Sequence, residues 1–114
     1  MIVRYGIYEG SVAAENQAQF DRNMGDEVVP MLARMPGVLE VRLLRGIGVG
    51  ALAPRYHQMI ELSFADDAGL LMAMNSAERR DIGRVQAPSL DLFSGHTPHA
   101  NFSVTRRLRG ANVK

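Results

Sequence analysis

Residues 20–46, FDRNMGDEVVPMLARMPGVLEVRLLRG, contain a change of period that decides the fold. In the first half Phe20, Met24, Val28, Met31/Leu32 and Met35 recur at steps of three and four, the apolar stripe of an amphipathic helix running from about Glu15 to Met35. Asn16 with Gln19 has the spacing of a weak capping pair at its start. Pro30 falls inside the stripe, where it lacks the N–H for a helical hydrogen bond, so a kink or a weakened middle is expected. Met35-Pro36-Gly37 stops the helix. From Val38 to Gly46 the period drops to two, with Leu39, Val41 and Leu43 opposed to Glu40, Arg42 and Leu44, which is the pattern of a strand.

The same two periods extend outward on both sides. Upstream, Ile2 to Glu9 (IVRYGIYE) alternates Val3, Tyr5 and Ile7 against Arg4, Gly6 and Tyr8. Downstream, Arg55 to Phe64 sets Tyr56, Gln58, Ile60, Leu62 and Phe64 against His57, Met59, Glu61 and Ser63. Asp66 can cap a second helix, since a carboxylate there accepts orphan backbone N–H groups, and Leu70, Leu71, Met74 and Ala77 supply its stripe. Glu78 to Phe93 reads as a helical continuation broken at Gly83 and Pro88, and a last strand spans about His99 to Arg106. The resulting order, β-α-β-β-α-β, predicts an α+β, ferredoxin-like domain over residues 1–105, with a four-stranded antiparallel sheet in the order 4-1-3-2 and both helices on one face. The other face, with Ile2, Tyr8, Leu44 and Met59 among its polar groups, is too apolar to stay wet. Two copies packed sheet to sheet would cover it and close a dimeric α/β barrel.

Composition bounds the function. The 114 residues and 12.5 kDa allow one domain, and 46% hydrophobic against 22% charged residues exclude a disordered chain and a multidomain enzyme. No run of apolar residues is long enough to span a membrane, no secretion signal precedes the first strand, and there is no Cys, so a cytoplasmic protein without disulfide or thiolate chemistry is expected. Arg106, Arg107, Arg109 and Lys114 make residues 106–114 a basic tail and leave the body with a net −3. A negative body and a tail without interleaved aromatics argue against nucleic acid as a partner.

A β-α-β-β-α-β chain of this length whose first helix ends in Pro30-x₅-Pro36-Gly37-Val38 resembles the dimeric α/β-barrel superfamily, and within it the EthD-like families. The opening Ile2-Val3-Arg4-Tyr5, the run Phe64-Ala65-Asp66 and Ser76-Ala77-Glu78 carry the rest of the resemblance, which covers roughly residues 2 to 105. It implies a homodimer and a place among cofactor-free isomerases, cyclases and monooxygenases of catabolism or secondary metabolism, or among relatives with no known reaction. Many EthD-like proteins carry a His on the first helix two residues before the proline matching Pro30. Here that position is Val28.

The strands offer candidates for chemistry. If Tyr8 faces both His57 and His99, the three form a row at one end of the sheet, and Arg4 lies deeper, opposite Glu61 and Ser103. A slip of one residue would undo the row. His titrates near neutral pH, Tyr can donate to an enolate oxygen and Arg can stabilise developing negative charge, so His57, His99, Tyr8 and Arg4 are the candidate catalytic residues. The same groups would equally serve as a satisfied polar network holding an interface, with Arg4–Glu61 as its ion pair. Tyr5, Met24, Val28, Phe64 and Met74 are the expected lining of a pocket for a small apolar or aromatic molecule, because Met adapts to irregular ligands; ordinary core packing is the alternative for each. His96-x-x-His99 with His57 matches no ligand spacing, so neither a metal nor another cofactor is expected. Gly46-x-Gly-x-Gly50 leads into Ala51-Leu52-Ala53-Pro54 and a strand rather than a helix, and reads as a hairpin connection instead of a nucleotide loop. An enzyme and a non-catalytic accessory or ligand-carrier protein both fit this sequence.

Overall fold

The computed structural model describes residues 1–48 and 55–112. The second half of the glycine-rich connection and Lys114 lie outside the described residues. β1 (Ile2–Val12) is followed by a short 3₁₀ turn (Ala14–Asn16) and a long helical segment in three parts: α1 (Gln17–Asn23), a π-helical turn (Met24–Val28) and α2 (Val29–Arg34). Then come β2 (Val38–Arg45), β3 (Tyr56–Phe64), α3 (Asp67–Met74), α4 (Ala77–Leu90), β4 (Phe93–His96) and β5 (His99–Ser103). The sheet runs β2-β3-β1-β4, and β5 also pairs with β1; every pairing is antiparallel. This is the ferredoxin-like α+β arrangement in the expected order, with the fourth position shared by two short strands. Between them stand Thr97 and Pro98, and a proline cannot donate to the ladder.

The π turn reconciles the stripe with the proline. Phe20, Met24, Val28 and Leu32 are all buried, at a constant spacing of four. In a regular α-helix each such step overshoots a full turn by about 40°, which would carry Leu32 round the side. Val29 N–H donates instead to Met24 O, a five-residue bond that widens the turn and holds all four side chains against the sheet. Pro30 then falls in the first turn of α2, where its missing N–H is tolerated. The kink expected from Pro30 takes this form, and the segment continues through it.

The second helical layer departs from expectation. Asp66 caps α3 by accepting from Gly69 N–H at 2.9 Å. Glu78–Phe93 is not broken: α4 runs unbroken past Gly83 and Pro88 to Leu90. Ser76 starts it by accepting from Arg79 N–H at 3.1 Å, and Pro88, in the last turn, removes one N–H from the ladder without ending the helix. Gly37, at φ 90°, makes the turn out of α2, where a Cβ would run into the carbonyl of Gly69.

The two faces of β1 are the reverse of the expected ones. Arg4, Gly6 and Tyr8 pair with Leu62, Ile60 and Gln58 on the face the helices cover, where Tyr8, Leu62 and Phe64 join Phe20, Met24 and Val28 in the core. Val3, Tyr5 and Ile7 lie on the other face with Leu44, Met59 and Phe102. Leu44 and Met59 lie there as expected, whereas Ile2 and Tyr8, expected there too, are on the face the helices cover. Alternation shows which residues share a face but not which face the helices take. Here the more apolar half of β1 is the one that no helix covers. On it Glu61 accepts from Tyr5 OH at 2.6 Å and from Arg42 at 2.7 and 3.1 Å, and Tyr5 meets Phe102 edge-on at 5.7 Å.

Candidate functional site

Between the sheet and the helices lies a cavity of about 320 Å³. Its floor is Arg4, Gly6 and Tyr8 from β1, Ile60 and Leu62 from β3, and His99 from β5. Val28, Leu32 and Met35 form one apolar wall, and Met74 and Ile82 another. Along the rim α4 presents Arg79, Gly83 and Gln86, one stripe at helical spacing, with Arg80 beside it.

Register decides which candidates meet here. On β5 the pairing is Gly6↔His99 and Arg4↔Asn101, two residues away from the expected Tyr8–His99 and Arg4–Ser103 pairs. A two-residue shift keeps the face, so His99 still joins Arg4 and Tyr8 at the cavity. On β3 the pairing is Tyr8↔Gln58 and Tyr5↔Glu61, one residue from the expected Tyr8–His57 and Arg4–Glu61 pairs. Glu61 therefore lies on the uncovered face, bonded to Arg42 and not to Arg4. His57 sits at a bulge opposite Tyr8/Glu9, where the local twist turns it toward α1. Its ring packs against Phe20 at 5.7 Å and Phe93 at 6.3 Å, and its buried Nε2 has no partner. His57 thus belongs to an aromatic cluster with Tyr8, Phe20 and Phe93, and it does not line the cavity.

Of the expected pocket residues, Val28 and Met74 border the cavity. Met24 and Phe64 are fully buried core, and Tyr5 is on the opposite side of the sheet. Gly6, Leu32, Arg79 and Gln86 were not singled out from the sequence. The 79, 83, 86 spacing could have found two of them, but it is legible only if α4 is taken as one helix.

The electrostatics of the group are set by packing. Burial pushes the Tyr8 phenol well above its usual range, so it stays protonated, and its oxygen accepts from the amide of Gln86. His99 covers Gly6, with Cδ2 and Nε2 each 3.6 Å from where a Cβ would stand, and keeps an exposed edge. Desolvation, then Arg4 and Arg79, lower its pKa, so its imidazole is neutral at pH 7. Arg4 donates to Asn101 Oδ1 at 2.9 Å; burial and then Arg79 lower its pKa, and it remains a cation. The cavity therefore combines a neutral imidazole, a protonated phenol and a guanidinium around apolar walls. These are groups that can accept a proton and hold an oxyanion. Among the described residues no group of three His, Cys, Asp or Glu is placed to hold a metal ion.

Sheet order, helix placement and this cavity define the class: a ferredoxin-like α+β protein. The chain is similar to an EthD family protein of Bacillus halodurans, with a TM-score of 0.70 and 17% identity over 92% of this chain and 99% of that one. It is similar also to SnoaB, a cofactor-independent oxygenase from Streptomyces nogalater, solved as a variant, with a TM-score of 0.60 and 16% identity over 96% and 95% of the two chains. A dimeric ferredoxin-like protein of unknown function from Thermobifida fusca matches with a TM-score of 0.61 and 12% identity over 90% of each chain. At such identities the similarity shows a shared fold. No protein-family model and no curated protein matches the chain. No described helix is long and apolar enough to cross a membrane.

Proposed function

We propose that this protein is a cytoplasmic homodimer that binds a small, largely apolar or aromatic metabolite in the cavity of each subunit and moves a proton on it without a cofactor. The observation that carries the reading is the convergence of Arg4, Tyr8 and His99, from two neighbouring strands, on one apolar cavity of about 320 Å³. In this reading neutral His99 takes the proton, and Arg4 with Tyr8 holds the oxygen on which negative charge develops. Self-association is supported by the uncovered apolar face of Tyr5, Ile7, Leu44, Met59 and Phe102, and by the T. fusca neighbour described as dimeric.

A thermal-shift screen of the full chain with lactones, quinones and small phenols, followed by turnover assays on the binders, tests it. Binding with turnover that His99→Ala abolishes while the ligand still binds is the expected result. Turnover unchanged in His99→Ala removes that residue from the chemistry, and no stabilisation by any compound removes the binding reading. A second reading, a non-catalytic carrier or accessory protein, is favoured by one feature. Val28, where EthD-like proteins often carry a His, is fully buried in the cavity wall and can only pack. Stable binding without turnover would select it.

A further inference from the structure

We infer that the ligand of this cavity is an anion, a small apolar acid whose carboxylate is held between Arg4 and Arg79. The inference rests on the binding reading above and narrows its substrate class. The cavity is bordered by Arg4, Arg79, Arg80 and His99, and by no Asp or Glu. The body of the chain carries more carboxylates than cations, so the missing counter-charge is not for want of acidic residues. Among the described residues the ion pairs are Arg42–Glu61, on the uncovered face, and Arg45–Asp21, between β2 and α1; neither touches the cavity. Among the described residues the side-chain partner of Arg4 is neutral, Asn101, and Arg80 donates to the backbone oxygen of Asn75 at 3.1 Å.

Two half-buried guanidinium groups, one from the floor and one from the rim, thus bear on one apolar space that no carboxylate side chain borders. Each repels the charge of the other, and taking such groups out of water is unfavourable unless they are paired. An incoming carboxylate supplies both with charge-assisted hydrogen bonds, the geometry for which Arg is suited. The apolar remainder of the acid then lies against Val28, Leu32 and Met74, with the His99 imidazole alongside.

Acid and amide pairs of equal shape provide the test: benzoate against benzamide, and 3-phenylpropionate against 3-phenylpropanamide, titrated calorimetrically into the full chain near neutral pH. The acids are expected to bind about tenfold tighter or more, the equivalent of about 1.4 kcal/mol. Added sodium chloride should weaken the acids but not the amides. Arg79→Gln, a change at the half-buried rim that leaves the core untouched, should erase the preference while keeping amide binding, and Arg4→Gln should weaken the acids more than the amides. Benzoate, but not benzamide, should also raise the pKa of His99 followed by NMR, a reading that needs no variant. Amides that bind as well as acids overturn the anion inference and leave the cavity reading standing. Failure of every member of both pairs to bind overturns the anion inference and removes the support for the cavity reading as well.

Discussion

Gly6 is the cavity-floor residue without a side chain, and a methyl there distinguishes binding from stability. A Cβ would stand in ordinary contact with His99 and Ile60, and the backbone needs no positive φ. Gly6→Ala should therefore leave stability equal or raise it by about 0.4–1 kcal/mol through the unfolded chain, while weakening any ligand seated against His99. Parallel thermal melts and ligand titrations check this; ligand affinity unchanged in the variant would place the molecule elsewhere. Glu61 provides a pH signature on the opposite face. Hydrogen bonds from Arg42, opposed by partial burial and aided by Tyr5, hold its carboxyl below the ordinary value of 4.5. Its folded pKa is the lower one, so its contribution is present above 4.5 and is lost as pH falls through the folded value. Urea unfolding across that acid range should show a shallower loss in Glu61→Gln than in the parent; equal slopes would contradict the network. At this scale the sequence revealed kinds of side chain better than their neighbours. His99 kept its place at the cavity because its strand slipped by an even number of residues, and His57 lost its place because a one-residue offset and a bulge intervened.

Among elements, the helices illustrate how a local rule yields to its surroundings. Pro30 and Pro88 both looked like breaks, yet the helical segments run on through both. Pro30 follows a π turn, and Pro88 lies close to the end of α4. What starts α4 is Ser76, whose hydroxyl accepts from Arg79 N–H and donates to Ala73 O at 2.7 Å. Ser76→Ala should cost about 0.5–2 kcal/mol in chemical denaturation. Because Arg79 and Gln86 ride on this helix, the variant should also loosen the cavity rim and speed amide exchange near Arg79. A cost near zero would mean that packing, not the cap, sets where α4 begins. β1, β2, β3 and β5 were readable from period, and the sheet order from the succession of strands and helices. The division of the fourth strand was not, since it depends on how Thr97-Pro98 passes alongside Ile7, whose N–H donates to Pro98 O at 2.9 Å.

For the whole molecule, the uncovered face makes its own prediction. Phe102 is 53% exposed in a single subunit and meets Tyr5 edge-on beside the Arg42–Glu61 pair. If two copies meet there, sedimentation of the parent should give twice the 12.5 kDa chain mass, and Phe102→Glu should give the chain mass with secondary structure retained. A monomeric parent at micromolar concentration would refute the pairing. Size and an apolar sheet face together made self-association the expectation from the sequence. The composition of the uncovered face was only partly readable, because β1 turned its apolar residues outward and its Arg4, Gly6 and Tyr8 inward.

β1 pairs with β3, β4 and β5, and among the described residues no other strand has as many neighbours. It carries the cavity floor on one side and the uncovered patch on the other, in alternate residues. Its reading frame is therefore fixed from both directions. Inserting or deleting one residue between Ile2 and Tyr8 would send a guanidinium to the outer surface and an isoleucine into the cavity, undoing both surfaces at once. Changes of length in this lineage should accordingly be sought beyond Ser103, where residues 104–112 are exposed and belong to no strand or helix, and not in the opening strand.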